Sequence, residues 1–397
     1  MFVLEFKAKG KKIQYRAMDE AIRTVQFIRN KSVRYWEDNH GVSKYDLNKN
    51  CAKLAKEFSW AGKLNSSARQ SAAERAWAAI SRFYSNCKKQ IPGKKGYPQY
   101  QNNNRSVEYK KSGWKLDLNT RKHITFTDKN KIGRIKLVGT RDLHFYSPDE
   151  IQRVRIVRRA DGYYIQFLIN TEVKEEVQPS GKAIGLDFGI ESFYTNSNGY
   201  KEPNLNFLRK GEQKLKKLQR SLSRKQQGSN NRKKARQKLA KYHLKISRQR
   251  REHAKRIARC VCQSNDLIAY ESLQIQNLVK NHNLAKSIND VAWYQFRIWL
   301  EYFAWKFGKI TIAVNPKYTS QKCSNCGSIV QKSLSTRTHK CHCGTCLDRD
   351  ENAAINILKE ALRTFGQRET ANLELENAFG DLTTTLVEEI QSKQVES

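Results

Sequence analysis

Hydrophobic and polar positions change texture twice along the chain, and each texture predicts a different kind of element. Over residues 18–39, Ala21, Val25, Ile28 and Tyr35 recur at helical spacing, and Trp77, Ile80, Phe83 and Tyr84 mark the buried side of a second helix over 65–86. Apolar residues every three or four positions make one face of a helix, so the first hundred residues are predicted mostly helical, up to the turn-rich IPGKKGYPQY of 91–100. From Ser106 onward, SVEYKKSGWKLDLN, HITFT and GRIKLVGT alternate apolar and polar residues, as half-buried strands do. RVRIVRRADGYYIQFLIN adds two strands, expected to join across Asp161-Gly162, a pair that tolerates positive φ in a tight turn. Residues 106–175 are therefore expected to form a small antiparallel sheet or barrel.

The next texture is one of nearly continuous apolar runs, AIGLDFGI, DLIAYE (266–271) and KITIAV (309–314), which suit strands buried on both faces. Between the first two lies a helical periodicity with a thin apolar seam. Leu215, Leu218 and Leu222 precede GSNN at 228–231, and Leu239, Tyr242, Ile246, Ile257 and Val261 follow it, predicting a two-helix hairpin. DVAWYQFRIWLEYFAWKFG, 290–308, predicts one long amphipathic helix whose aromatics belong to the core. Beyond Phe365 the chain turns acidic and aperiodic, the signature of disorder.

Charge then says what the hairpin is for. The 397 residues hold 75 lysines and arginines against 38 acids, a formal net charge of +37. From Arg209 to Arg259 there are 21 basic residues and two glutamates, about half of the whole excess. Like charges so segregated repel unless a polyanion neutralises them, which points to nucleic acid. Lys214, Lys217, Arg220, Arg224, Arg232, Lys233 and Arg236 are the candidate contacts. The chain carries no apolar signal core and no run of about twenty apolar residues, so an intracellular, soluble protein without a membrane partner is expected.

In a chain this basic, three acids stand out by position. Asp187 in IGLDFG and Glu271 in DLIAYE end buried strands, and Asp350 opens the predicted helix DENAAINIL. Phosphodiester hydrolysis needs an activated water and a stabilised leaving oxygen, and two Mg²⁺ about 3.5–4 Å apart supply both. Hard cations prefer carboxylate oxygen, so Asp187, Glu271 and Asp350 are candidate catalytic and magnesium-binding residues. Asp348 is either a further ligand or the cap of that helix, and the cap is favoured.

Five of the nine cysteines fall between Cys323 and Cys346. The Cys323-Ser-Asn-Cys326-Gly turn lets two thiolates reach one tetrahedral ion, and CHCGTC offers a second pair. The glycine after Cys343 mirrors the one after Cys326 and favours Cys341 with Cys343, with Cys346 as the alternative ligand. Four thiolates leave no open coordination position, so one structural zinc is expected rather than a catalytic one.

GLDFG, AYESL, TSQKCSNCG (319–327) and CHCG…DRDENAAIN together resemble the TnpB family of insertion-sequence proteins, which is similar to the miniature type V CRISPR effectors. The resemblance implies an α+β multidomain fold. A wedge-type β-barrel (1–12 and 106–180) would carry a helical recognition insert (13–105). An RNase H-like RuvC nuclease domain (181–322 and 347–366) would hold the basic hairpin (208–263) and an inserted zinc ribbon (323–346), ahead of a disordered acidic tail (367–397). It further implies RNA-guided cleavage of DNA, with Asp187, Glu271 and Asp350 matching the nuclease triad. The second cysteine pair departs from the family's usual C-x-x-C-G, being C-x-C-G here. The implied partners are a guide RNA and double-stranded target DNA, one chain per guide, in the prokaryotic cytoplasm at the nucleoid. Reading of a target-adjacent motif would fall to the helical insert and barrel, where Ser66, Arg69, Gln70 and Arg75 lie along one helix. A cleavage-silent repressor and a transposase accessory protein are the rival readings.

Overall fold

The computed structural model describes residues 2–171, 174–274, 278, 280, 282–333 and 336–379, with backbone alone for 282–284, 289 and 367–379. The chain divides into two compact units, Met1–Val173 and Lys174–Ser397.

In the first unit β1 (Phe2–Lys9) leads into α1 (Lys12–Asp38), α2 (Lys44–Glu57), the short α3 (Ser59–Gly62) and α4 (Ser66–Lys88). Six strands follow: β2 (Ser106–Lys110), β3 (Trp114–Leu116), β4 (His123–Phe126), β5 (Gly133–Val138), β6 (Ile151–Arg159) and β7 (Gly162–Ile169). They form one sheet with β1, in the order β2-β6-β7-β1-β5-β4-β3. Its two edge strands, β2 and β3, are consecutive in the chain, joined by a single 3₁₀ turn at Lys111–Gly113. Laid flat, such a sheet would hold its edges about 29 Å apart, whereas the chain from Lys110 to Trp114 reaches at most about 14 Å. The sheet must roll up, and the chain itself bridges the edges.

The hairpin turn differs by one residue from expectation. Arg159 pairs with Gly162, so the turn is Ala160-Asp161 and Gly162, at φ 136°, opens β7. Pairing of Tyr164 with Lys7 of β1 sets that register, and the Tyr164 hydroxyl donates to Asp161 Oδ2 at 2.8 Å. Helix α2, with Leu47, Cys51 and Leu54 buried on one face, was not foreseen as a separate element. Met18, Ile22, Val25 and Ile28 of α1 and Ala68, Ala72, Ala76 and Ile80 of α4 join the same apolar cluster as Val107, Ile156 and Phe167 of the sheet. Helices and sheet therefore share one core.

The second unit is built on β8 (Ala183–Asp187), β9 (Ser192–Asn196), β10 (Lys201–Pro203), β11 (Leu267–Glu271) and β12 (Ile310–Val314), in the order β10-β9-β8-β11-β12. Strands β8, β11 and β12 run parallel, and β9 and β10 are antiparallel to their neighbours. The basic segment forms α5 (Phe207–Ser223) and α6 (Asn230–Ser264), with Ser229 capping α6. Gly211 lets the two approach: a Cβ there would stand 3.0 Å from the Tyr242 hydroxyl and 3.1 Å from Ile246.

The single helix expected over 290–308 is instead two, His282–Val291 and Trp293–Phe307, broken at Ala292 with φ 62°. Trp293, Phe296, Leu300, Phe303 and Phe307 are core, while Tyr294 and Trp305 are exposed because they fall on the opposite face. The last helix runs from Arg349 to Phe379, past the expected boundary at 366, through a segment rich in the helix formers Ala, Leu and Glu. The rest of the expected tail, 380–397, lies outside the described residues. Among those described, no helix is long and apolar enough to cross a membrane.

The last helix crosses β8 at Gly185, where a Cβ would stand 2.1 Å from the Ala354 carbonyl oxygen and 2.9 Å from Leu358 N. Both neighbours are backbone atoms and cannot swing aside. Gly185→Ala is expected to lower stability by about 3 kcal/mol or more in denaturant unfolding, against no comparable loss for alanine at the exposed helical Gly366, where a Cβ meets nothing within 4 Å.

Candidate active site and metal centre

Leu186 of β8 lies opposite Tyr270 of the parallel strand β11. The next residues, Asp187 and Glu271, therefore stand side by side at the C-terminal ends of adjacent parallel strands. The crossing at Gly185 brings the N-terminus of the last helix, and Asp350 with it, to those strand ends. Asp187 feels both other acids: burial, then the charges of Glu271 and Asp350, push its carboxyl well above the usual range, with Arg349 opposing. Glu271, 8% exposed, is raised by burial and partly held down by a hydrogen bond from the Thr319 hydroxyl. Asp350 is flanked by Arg349, whose Nε lies 3.1 Å from Oδ1, and by Arg337, whose Nη1 lies 3.6 Å from Oδ2. Asp348 accepts from the backbone N–H of Asp350 at 2.9 Å and Glu351 at 3.3 Å, capping the helix, and pairs with Lys201 at 2.7 Å.

Among the described residues, the one group of potential ligands whose donor atoms all lie within 4.8 Å of one another is Cys323, Cys326, Cys341 and Cys343. The three carboxylates are spread more widely. Asp187 and Glu271, both raised by desolvation, and Asp350 beside Asp187 offer the carboxylate oxygens that a hard divalent cation prefers.

The thiols are arranged as two knuckles. Cys323 Sγ lies 3.7 Å from Cys343 Sγ, and Cys326 Sγ 3.5 Å from Cys341 Sγ. A tetrahedron of sulfurs at about 2.3 Å from a metal has edges of about 3.8 Å. Gly327 at φ 78° and Gly344 at φ 88° make the two turns. The second turn links β13 (Thr338–Lys340) to β14 (Cys346–Asp348), and Cys346 stands outside the group, exposed and paired with Lys340. The Thr345 hydroxyl, 3.1 Å from its sulfur, is the leading cause that lowers the Cys343 thiol to about 5.

Several positioning residues escaped sequence reasoning. Asn352, wholly buried, accepts from Ser324 N at 2.9 Å and donates to the Lys322 carbonyl at 2.8 Å. Asn356 Nδ2 donates to the carbonyls of Thr319 at 2.9 Å and Lys322 at 2.7 Å. The available signal was a pair of asparagines, weak helix formers, one turn apart on an otherwise apolar helix face. Asp290 was also missed: it accepts from Leu208 N at 2.8 Å and from Arg250 Nε at 3.0 Å, tying the start of α5 to α6.

Of the basic candidates, Lys217, Arg220 and Arg224 line an open recess of about 580 Å³ on α5, and Lys233 and Arg236 are exposed on α6. Lys214 lies over the Tyr242 ring at 5.1 Å. Arg232 donates to the carbonyls of Lys225 at 2.7 Å and Leu222 at 3.3 Å, so it closes the hairpin turn. On α4, Ser66 and Gln70 are exposed. Arg69 donates to the carbonyls of Leu64 at 2.5 Å and Gly62 at 3.2 Å, and Arg75 bonds Ser106 and Glu108, so both guanidinium groups are engaged within the fold.

A family model described as "Probable transposase" matches residues 166–282, and one described as "Cas12f1-like, TNB domain" matches 293–357. A "TnpB-like protein" of Acanthamoeba polyphaga mimivirus is 26% identical over 215 residues, 50% of this chain and 41% of its own length. A protein of Streptomyces pristinaespiralis named "Putative RNA-guided DNA endonuclease" is 31% identical over 322 residues, 78% of this chain and 75% of that protein. The chain belongs to the TnpB family. Cas12f1, solved with its sgRNA and target DNA, matches with a TM-score of 0.50 at 13% identity, covering 87% of this chain and 81% of Cas12f1. A TnpB chain thus shares the multidomain fold of Cas12f1. For the thiol cluster, Cys343→Ser is expected to lose the bound transition metal, while Cys346→Ser keeps about one ion per chain by elemental analysis.

Proposed function

We propose that the protein is an RNA-guided DNA endonuclease that cuts guide-complementary DNA by metal-assisted phosphodiester hydrolysis at Asp187, Glu271 and Asp350. The observation that carries this reading is the meeting of Glu271 and Asp350 with Asp187 at the C-terminal ends of the second unit's parallel strands, in a TnpB-family chain. The strand order β10-β9-β8-β11-β12, an antiparallel meander followed by parallel strands, supports an RNase H-like nuclease domain. Magnesium, when bound by these carboxylates, supplies a nucleophile at neutral pH and stabilises the leaving oxygen. The chain's own residues hold the carboxylates in place: Thr319 fixes Glu271, and the Asp348 cap fixes the backbone turn carrying Asp350.

The basic hairpin holds nucleic-acid backbone, with Lys217, Arg220, Arg224, Lys233 and Arg236 as its exposed contacts. Base pairing with the guide RNA supplies sequence, and the protein reads a short target-adjacent motif, with Ser66 and Gln70 among its candidates. Zinc fits the four-thiolate cluster as a structural ion in a ribbon. One chain per guide RNA, acting in the cell interior where DNA is accessible, completes the reading. A second reading, DNA strand transfer, is favoured only by the description of the matching family model.

Asp187→Ala is expected to abolish guided cutting, by at least about a thousandfold, while co-purifying RNA is retained. Equal cutting by the variant would overturn the triad, and joined rather than cut DNA would favour strand transfer. Chelation that strips the thiol-bound metal is expected to stop cutting in a way that added Mg²⁺ alone does not reverse, because the loop carrying Cys323 and Cys326 is bonded to Asn352 and Asn356 of the helix that carries Asp350. Cutting by a preparation verified free of that metal would separate the two sites.

A further inference from the structure

The loop from Asn315 to Cys326 is tied at three points. It ends in the thiol cluster, through Cys323 and Cys326. Along its length, Thr319, Lys322 and Ser324 bond Asn352 and Asn356, one turn apart on the helix that carries Asp350. Lys359 of the same helix adds a bond to the Ser324 carbonyl. The third tie is the Thr319 side chain. Its one hydroxyl proton has two acceptors in reach, the Glu271 carboxylate and the Pro316 carbonyl at 3.2 Å, and the charged acceptor makes the stronger bond.

We infer that Thr319 is a positioning residue for divalent-cation binding: its hydroxyl sets the Glu271 carboxylate beside Asp187, from a loop held by the thiol cluster and the two asparagines. This rests on the reading of the carboxylates as a cation seat. Glu271 stands at a strand end on a flexible side chain, and Mg²⁺ tolerates little departure from octahedral geometry. A donor that selects one carboxylate rotamer removes the cost of ordering it when the ion binds. Threonine suits the task because its branched Cβ restricts χ1, so the hydroxyl is itself held in place. The same bracket gives Glu271 and Asp350, from distant parts of the sequence, a common reference.

The test uses the full chain purified with its co-expressed RNA. Thr319→Val keeps the shape and removes the hydroxyl, Thr319→Ser keeps the hydroxyl, and Thr319→Ala is a second hydroxyl-free variant should valine prevent folding. Mg²⁺ is titrated against guided cutting, and Tb³⁺ luminescence reads cation binding without any cutting. The hydroxyl-free variants are expected to need about tenfold more cation in both assays, with RNA retention unchanged and the serine variant close to wild type. Wild-type cation dependence in those variants overturns the inference, and so does a loss of thermal stability with cation dependence unchanged, which would leave Thr319 only a loop-packing role. A wild type that binds Tb³⁺ yet fails to cut guided DNA sinks the nuclease reading, while the Tb³⁺ comparison still decides the role of Thr319.

Discussion

At Gly185 the last helix lies on β8 with no space for even one side-chain carbon, and the geometry of the carboxylate site follows from that contact. A helix held against a strand through backbone atoms has little freedom to slide, and Ala353, Ala354, Ile357 and Ala361 bury the same face along its length. Asp350, in the first turn, is therefore fixed relative to Asp187, two residues beyond the contact. Parallel pairing of β8 with β11 then places Glu271 beside them. Three acids from three distant segments gather at the same strand ends because one glycine removes the side chain that would have separated helix and sheet.

That site is electrostatically costly when metal-free. Asp187 is desolvated and faces two further carboxylates; Arg349 opposes that charge in part, and Arg349 and Arg337 both pair with Asp350. A folded arrangement that keeps like charges close is understandable where a cation completes it, and the same constraint explains acids in a chain of net charge +37. The thiol cluster does a different job. Its four sulfurs already approximate a closed tetrahedron, and its loop and helix neighbours transmit that rigidity to Glu271 and Asp350 through Thr319, Asn352 and Asn356.

Basic residues, too, divide by what surrounds them. In the first unit Glu108, 5% exposed, accepts from Arg153 at 2.8 Å and Arg155 at 2.6 Å, with Arg75 at 3.7 Å, and Glu74 takes Lys110 at 2.8 Å. Such cations serve the fold, because burying Glu108 without partners would be strongly unfavourable. On α5 and α6 the excess is far larger than the acids available, so most of those side chains remain exposed to solvent or to a polyanion. Sequence counting alone treats the two groups alike.

What the sequence by itself determined was the element types, since helical and strand periodicities are local, and the candidate chemistry, since carboxylates at buried strand ends and cysteines at knuckle spacing are rare enough to be informative. It also favoured Cys341 with Cys343 through the repeated glycine, and it carried the family resemblance. Only the tertiary structure decided the rest, because each remaining feature depends on a partner far away in the chain. The β6–β7 turn moved by one residue because β1 sets the register, and the helix over 290–308 broke at Ala292. Arg69 and Arg75 were drawn inward by carbonyls and by Glu108. Asn352, Asn356 and Thr319 acquired meaning only when a loop and a helix met, since a hydrogen bond between segments leaves no periodic mark in either of them.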